Sequence, residues 1–282
     1  MRCIFLIASF LVQTASAQTT GPETAFLELD HGFKDGNPLK RVIALANAGV
    51  MRPQPRPVAM IEALLDDKDL GVRGAACSAL GEMKSKGSIP KLRAALSDKA
   101  PEVVFAAAKA LYSMDDASGR EVLQEILTGE QKDASGFVSN SLRDARMKLY
   151  DPKALLLIGV NQAAGFLGAF GAAVPLAEQL MKDGQASGKT VAALMLANDH
   201  SDESKPALTE ALADKNWTVR VAALRAVALR DLTANYDQVA TMLADDKREE
   251  VRYAAASAAI RLKQVPEKPK VLPRRRPLRV KP

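Results

Sequence analysis

Little in this 282-residue sequence is suited to covalent chemistry or metal binding. It has two cysteines, Cys3 and Cys77, two histidines, His31 and His200, and one tryptophan. So few thiols exclude a disulfide scaffold, and two isolated histidines in polar, loop-like contexts do not make a zinc cluster. No cofactor is implied. Aromatics supply only 5% of the chain, and none is interleaved with its basic run, so a base-stacking surface has no support. Long apolar runs are also scarce. The main one in the body, Ala163–Leu176, has 14 residues, three of them glycine and one proline. That is short of the roughly 20 residues a helix needs to cross a bilayer. Alanine is abundant, at 48 residues. It is the best helix former and lets helices approach closely, which argues for an all-α fold.

The N-terminus reads as a secretory signal. Arg2 supplies a positive start, Cys3–Val12 is an apolar run of ten residues, and Ala15-Ser16-Ala17 places small residues before Gln18. Cys3 precedes the apolar run and is not a lipidation cysteine. The mature chain is therefore expected to be residues 18–282, exported to the periplasm or beyond, with no transmembrane span.

The formal net charge of +6 resides in residues 266–282. There Lys268, Lys270, Arg274, Arg275, Arg276, Arg279 and Lys281 face only Glu267, and five of the 15 prolines fall in the same stretch. Proline breaks helices and like charges repel, so this tail is expected to be extended. It reads either as a polyanion-binding element, for an anionic envelope surface, or as a solubilising end. Export disfavours nucleic acid as its partner.

The body is repetitive. Leu65-Asp66-Asp67 leads to Val72-Arg73-Gly74-Ala75-Ala76, and Leu96-Ser97-Asp98 to Val103-Val104-Phe105-Ala106-Ala107. Leu212-Ala213-Asp214 leads to Val219-Arg220-Val221-Ala222-Ala223, and Leu243-Ala244-Asp245-Asp246 to Val251-Arg252-Tyr253-Ala254-Ala255. The leading leucine recurs after 31 residues in each half. Such a period signals a solenoid. Each unit reads as an amphipathic first helix (Pro57–Leu65, Ser88–Leu96, Ser204–Leu212, Ala234–Leu243), an Asp-containing turn, and a second, Ala-rich helix whose free N–H groups that turn caps. Neither helix buries its face alone, so the units must stack into a quasi-linear array.

This pattern resembles the HEAT-like repeats, in particular the short type named after phycobilisome lyases. The match is close over 57–113 and 187–263 and weak over 22–50, where Leu39–Asn47 keeps only the second-helix pattern. The resemblance implies a right-handed α-α superhelix of about six to eight helical pairs, with the second helices on the concave side. It also implies that Arg73, Arg220 and Arg252 pair with turn aspartates of neighbouring units. Val104 stands in the arginine position of the second unit and should break that ladder.

The period is lost over residues 150–187. The glycine-rich stretch 154–176 reads as closely packed buried helices, as a membrane-inserted segment, or as a groove for a ligand or partner. Gly184–Thr190 resembles a phosphate loop but has three residues, not four, between its glycines, and reads as a polar turn opening a helix. Ser88-Ile89-Pro90-Lys91 matches a Ser-x-x-Lys nucleophile pattern but lacks its partner motifs and falls at a repeat boundary. Cys77 reads as a small core residue, and the pairs Asp66/Asp67 and Asp245/Asp246 as turn residues. No catalytic or metal site emerges. The reading is an exported, non-enzymatic scaffold that binds an unidentified protein along its concave face. The alternatives are an envelope tether acting through the tail, and a lyase-like enzyme or its subunit.

Overall fold

The computed structural model describes residues 21–128 and 188–265, and every regular element in them is helical. The first stretch holds α1 (Pro22–Phe33), α2 (Pro38–Ala48), α3 (Pro55–Glu62), α4 (Leu70–Glu82), α5 (Ile89–Ala95), α6 (Pro101–Ser113) and α7 (Ala117–Thr128). The second holds α8 (Gly188–Leu196), α9 (Lys205–Ala211), α10 (Trp217–Leu229), α11 (Tyr236–Asp245) and α12 (Glu249–Lys263). The expected signal (1–17), the glycine-rich segment 150–187 up to Ser187, and the basic tail lie outside the described residues.

The turns obey one rule. Asp35, Asp67, Asp98, Asp214 and Asp246 each accept the backbone N–H two residues on, at 2.8–3.0 Å, which bends the chain into the second helix. The cap itself comes from a residue two positions further on: Asn37 accepts from Leu39 N–H, Asp69 from Val72 N–H and Asn216 from Thr218 N–H. Several helices open with proline at the first turn, where its missing N–H costs nothing. Lys84, Asp115 and Asp231 stop α4, α6 and α10 with φ of 56°, 64° and 53°. At each stop the next N–H returns to the carbonyl five residues back, from Ser85 to Leu80, Asp116 to Leu111 and Leu232 to Val227.

The second helices form one inner layer and the first helices an outer one. Within the first stretch α2 packs on α4 and α4 on α6; within the second, α8 packs on α10 and α10 on α12. The two stretches meet at α12, which lies along α1 and α2. The order of units in space is therefore 188–265 and then 21–128, not the order of the sequence. One buried core runs through both stretches, from Ala25 to Leu262, and alanine contributes much of it. The helices approach closely because side chains are small: a Cβ on Gly81 of α4 would lie 2.7 Å from the Cβ of Ala110 in α6.

An arginine ladder records this order. Arg73 holds the Asp98 carboxylate through Nε and Nη2, at 2.7 and 2.8 Å, and Arg220 holds Asp246 the same way at 2.9 and 3.0 Å. Each also donates to the carbonyl of its own turn aspartate, Asp67 and Asp214 respectively, six residues earlier. These rungs agree with the expectation, and Val104 interrupts the series as expected. Arg252 departs from it: it bonds to its own Asp246 carbonyl but pairs with Glu28 of α1, at 2.8 Å. Its neighbour in space is the α1–α2 unit, where Asp35 faces Lys40 at 3.6 Å and Glu28, a longer acid from the outer helix, completes the rung. The weakly matched first unit also supplies a rung absent from the sequence reading, Arg41 to Asp67 at 2.9 Å.

Candidate binding surface

The curvature brings inner helices together across the stack. Arg225 of α10 donates to Glu82 of α4 at 2.9 Å, although α12 and α2 stand between those helices. Glu82 reaches that position over Gly49, where any Cβ would collide with the carboxylate oxygen. Beside this pair lies a hollow of about 290 Å³, floored by Gly81 and Ala110 and walled by Ser78, Lys84, Ala106, Lys109 and Leu229. Its lining comes from the second helices and their C-terminal ends, which makes the inner layer the concave one.

Register within the repeat explains which side chains arrive there. The positions five and nine residues after each rung residue fall one helical turn apart, on one face. In α4 these are Ser78 and Glu82, in α6 Lys109 and Ser113, and in α10 Arg225 and Leu229. The sequence reading did not single out Glu82, Lys109 or Arg225. The signal that would have found them is the turn aspartate, which precedes the rung position by six in the units of α2, α4, α6, α10 and α12 and so sets a common numbering.

Polar atoms in the hollow are partly spent. The Ser78 hydroxyl donates to the Gly74 carbonyl and that of Ser113 to Ala110. The Lys84 ammonium donates to the Ser113 carbonyl. Lys109 is exposed. With Lys84, Lys109 and Arg225 against Glu82, the hollow carries an excess of positive charge.

The other residues tested from sequence have structural settings. Cys77 is buried in α4, and burial pushes its thiol up to about 12, so it is no nucleophile at neutral pH. Ser88 is fully buried and donates to Glu62 at 2.6 Å, while Lys91 pairs with the same carboxylate at 2.7 Å. Lys189 pairs with Asp214 at 2.9 Å, and buried Thr190 meets the Thr218 hydroxyl, so the α8 part of the phosphate-loop lookalike serves helix packing. His31 and His200 are exposed. Among the described residues no group of three or more His, Cys, Asp or Glu could hold a metal, and no helix is long and apolar enough to cross a membrane. Asp98 shows how the ladder is balanced. Burial pushes its carboxyl up, but the Arg73 guanidinium and the Ala100 N–H outweigh it and leave the net shift downward. The tail residues Lys268, Lys270, Arg274, Arg275, Arg276, Arg279 and Lys281 lie outside the described residues.

A family model described as HEAT repeats matches residues 34–135 and 173–260. No curated protein matches the chain.

Proposed function

Because the chain belongs to the HEAT-repeat family, whose members commonly mediate protein interactions, we propose that it is an exported, non-enzymatic scaffold. On this reading it grips a partner protein along the concave face of its second helices. The observation that supports this is the inner layer itself: helices from both stretches converge on one hollow through Arg225 and Glu82. A curved, extended surface of this kind suits a macromolecule better than a small substrate. The absence of catalysis rests on how the reactive side chains are used. The ladder's acids and bases are committed to rungs and turns, and the one cysteine of the described residues is buried. Export rests on the N-terminal sequence.

The test is capture of a partner from an envelope extract by two matched variants. Ala106→Trp places bulk in the hollow, and Ala207→Trp places the same bulk on exposed α9 of the outer layer. Loss of the partner with the first variant and its retention with the second is the expected result. Equal capture by both would remove the concave face from the reading.

A further inference from the structure

We propose that the concave hollow takes a carboxylate side chain from an acidic segment of the partner, with Lys109 and Lys84 as its ligands. The proposal rests on the concave-face reading and adds the chemistry of recognition to it. Size comes first. At about 290 Å³ the hollow is at the lower limit of sites that enclose a drug-sized molecule, which leaves room for a protruding side chain and little for a larger molecule. Charge comes second. Three cations and one acid line it, and the acid is already matched: Glu82 accepts from Arg225 and lies tight over Gly49. That leaves two ammonium groups in excess. Lys84 is anchored to the Ser113 carbonyl through one of its three donors, which fixes its position and leaves two. Lys109, one turn before Ser113 on the adjacent helix, is exposed. The serine hydroxyls donate back to helix carbonyls, so the hollow presents ammonium donors and oxygen lone pairs.

The same register places one more cation on the inner layer, Arg261, which is already paired with Asp231 at 3.0 Å. Arg261 occupies in α12 the position that Glu82 occupies in α4, and it donates to the Val50 carbonyl just past the C-terminal end of α2. An incoming acidic segment therefore meets its free cations at one socket, whose charge steers encounter and sets register.

The probe is a fluorescein-labelled peptide of alternating glutamate and serine, beside its lysine–serine counterpart. The protein is the whole chain with the seven tail bases replaced by glutamine, which removes the competing polyanion site. The acidic peptide should bind and the basic one should not. Lys109→Glu should weaken binding by about tenfold or more, and Lys109→Gln by less. Lys109 is exposed, so its variants keep the fold, which the melting curve checks. Bound peptide should also protect Lys84 and Lys109, but not outer-layer Lys91 and Lys205, from acetylation. No binding once the tail is neutralised, or binding indifferent to Lys109→Glu, overturns the proposal. If Ala106→Trp abolishes partner capture while Lys109→Glu leaves it intact, the scaffold reading stands and the carboxylate socket falls. If neither variant affects capture, both fall.

Discussion

Two interfaces in this molecule solve the same problem under different conditions. The α4–α6 contact joins units that are adjacent in sequence. It is made by small residues, with Gly81 against Ala110, and is fastened by a two-pronged rung, Arg73 to Asp98, between residues 25 apart, and by hydrogen bonds from Lys84 to the Ser113 carbonyl and from Ser113 to the Gly81 carbonyl. The α12 seam joins units from opposite ends of the chain. Its rung, Arg252 to Glu28, spans 224 residues. Closing a loop about nine times longer costs about 2 kcal/mol more in chain entropy. The seam has correspondingly more to hold it. Lys40 meets Glu249 at 2.7 Å, Arg52 and Arg261 share Asp231 at 2.7 and 3.0 Å, and Arg261 also reaches the Val50 carbonyl. Tyr253, 1% exposed, is seated where Gly32 has no side chain; a Cβ there would lie 2.9 Å from its ring. An interface without a short covalent link relies on larger and longer side chains, each specific to its place.

The sharpest way to break that comparison is Tyr253→Ala. Truncating so large a buried side chain should cost about 3–5 kcal/mol in a urea titration, as much as Leu111→Ala in the linked region or more. A cost below about 1 kcal/mol would reduce the seam to incidental packing. Next in size are the rungs. Arg73→Met leaves the largely buried Asp98 uncompensated and should cost about 2–3 kcal/mol. Arg252→Met breaks a more exposed, single-pronged pair and should cost about 1 kcal/mol. A double-mutant cycle of Arg252 with Glu28 should show a coupling of about 0.5–1 kcal/mol, and additivity would break the assignment of Glu28 as the rung partner.

Acid should weaken both interfaces. Asp98 is held low as described, and Glu249 is held low chiefly by the Lys40 ammonium. A carboxyl with a folded value below its unfolded one stabilises the fold above the unfolded value, near pH 4, and loses that contribution as pH falls through the folded value. The urea midpoint should therefore drop from pH 5 to pH 3, and both Asp98→Asn and Glu249→Gln should flatten the drop. If only the first does so, the seam pair is electrostatically idle. The smallest effect concerns a stop shared by the repeats. Asp115 is exposed with φ of 64°, so Asp115→Gly should raise stability by about 0.5–1 kcal/mol, read as a higher midpoint at unchanged slope.

Helices, turns and most rungs were legible because they depend on local spacing. Apolar residues at three- and four-residue intervals, an aspartate six before an arginine, and alanine pairs state their roles within one unit. Arg41 escaped notice because its unit enters through Pro38-Leu39-Lys40 in place of the Val-Arg signature, although Asp35 keeps the spacing. The order of units was not legible. Nothing local in Glu28, Gly32 or Tyr253 says that residues more than two hundred apart will touch; that information lies in complementarity between two surfaces. The hollow shares this limit, since Lys109 and Arg225 sit on solvated-looking positions of separate units and converge only through curvature.

The seam also changes how the molecule bears load. A linear stack pulled by its two ends peels from the tips, one repeat at a time. Here residues 21 and 265 border units that clasp each other, so tension applied through them falls first on α12 against α1 and α2. Yielding becomes a single early event at a known place, and the remaining repeats are shielded until it happens. For a chain fixed at one end and drawn on at the other, the seam is the mechanical fuse.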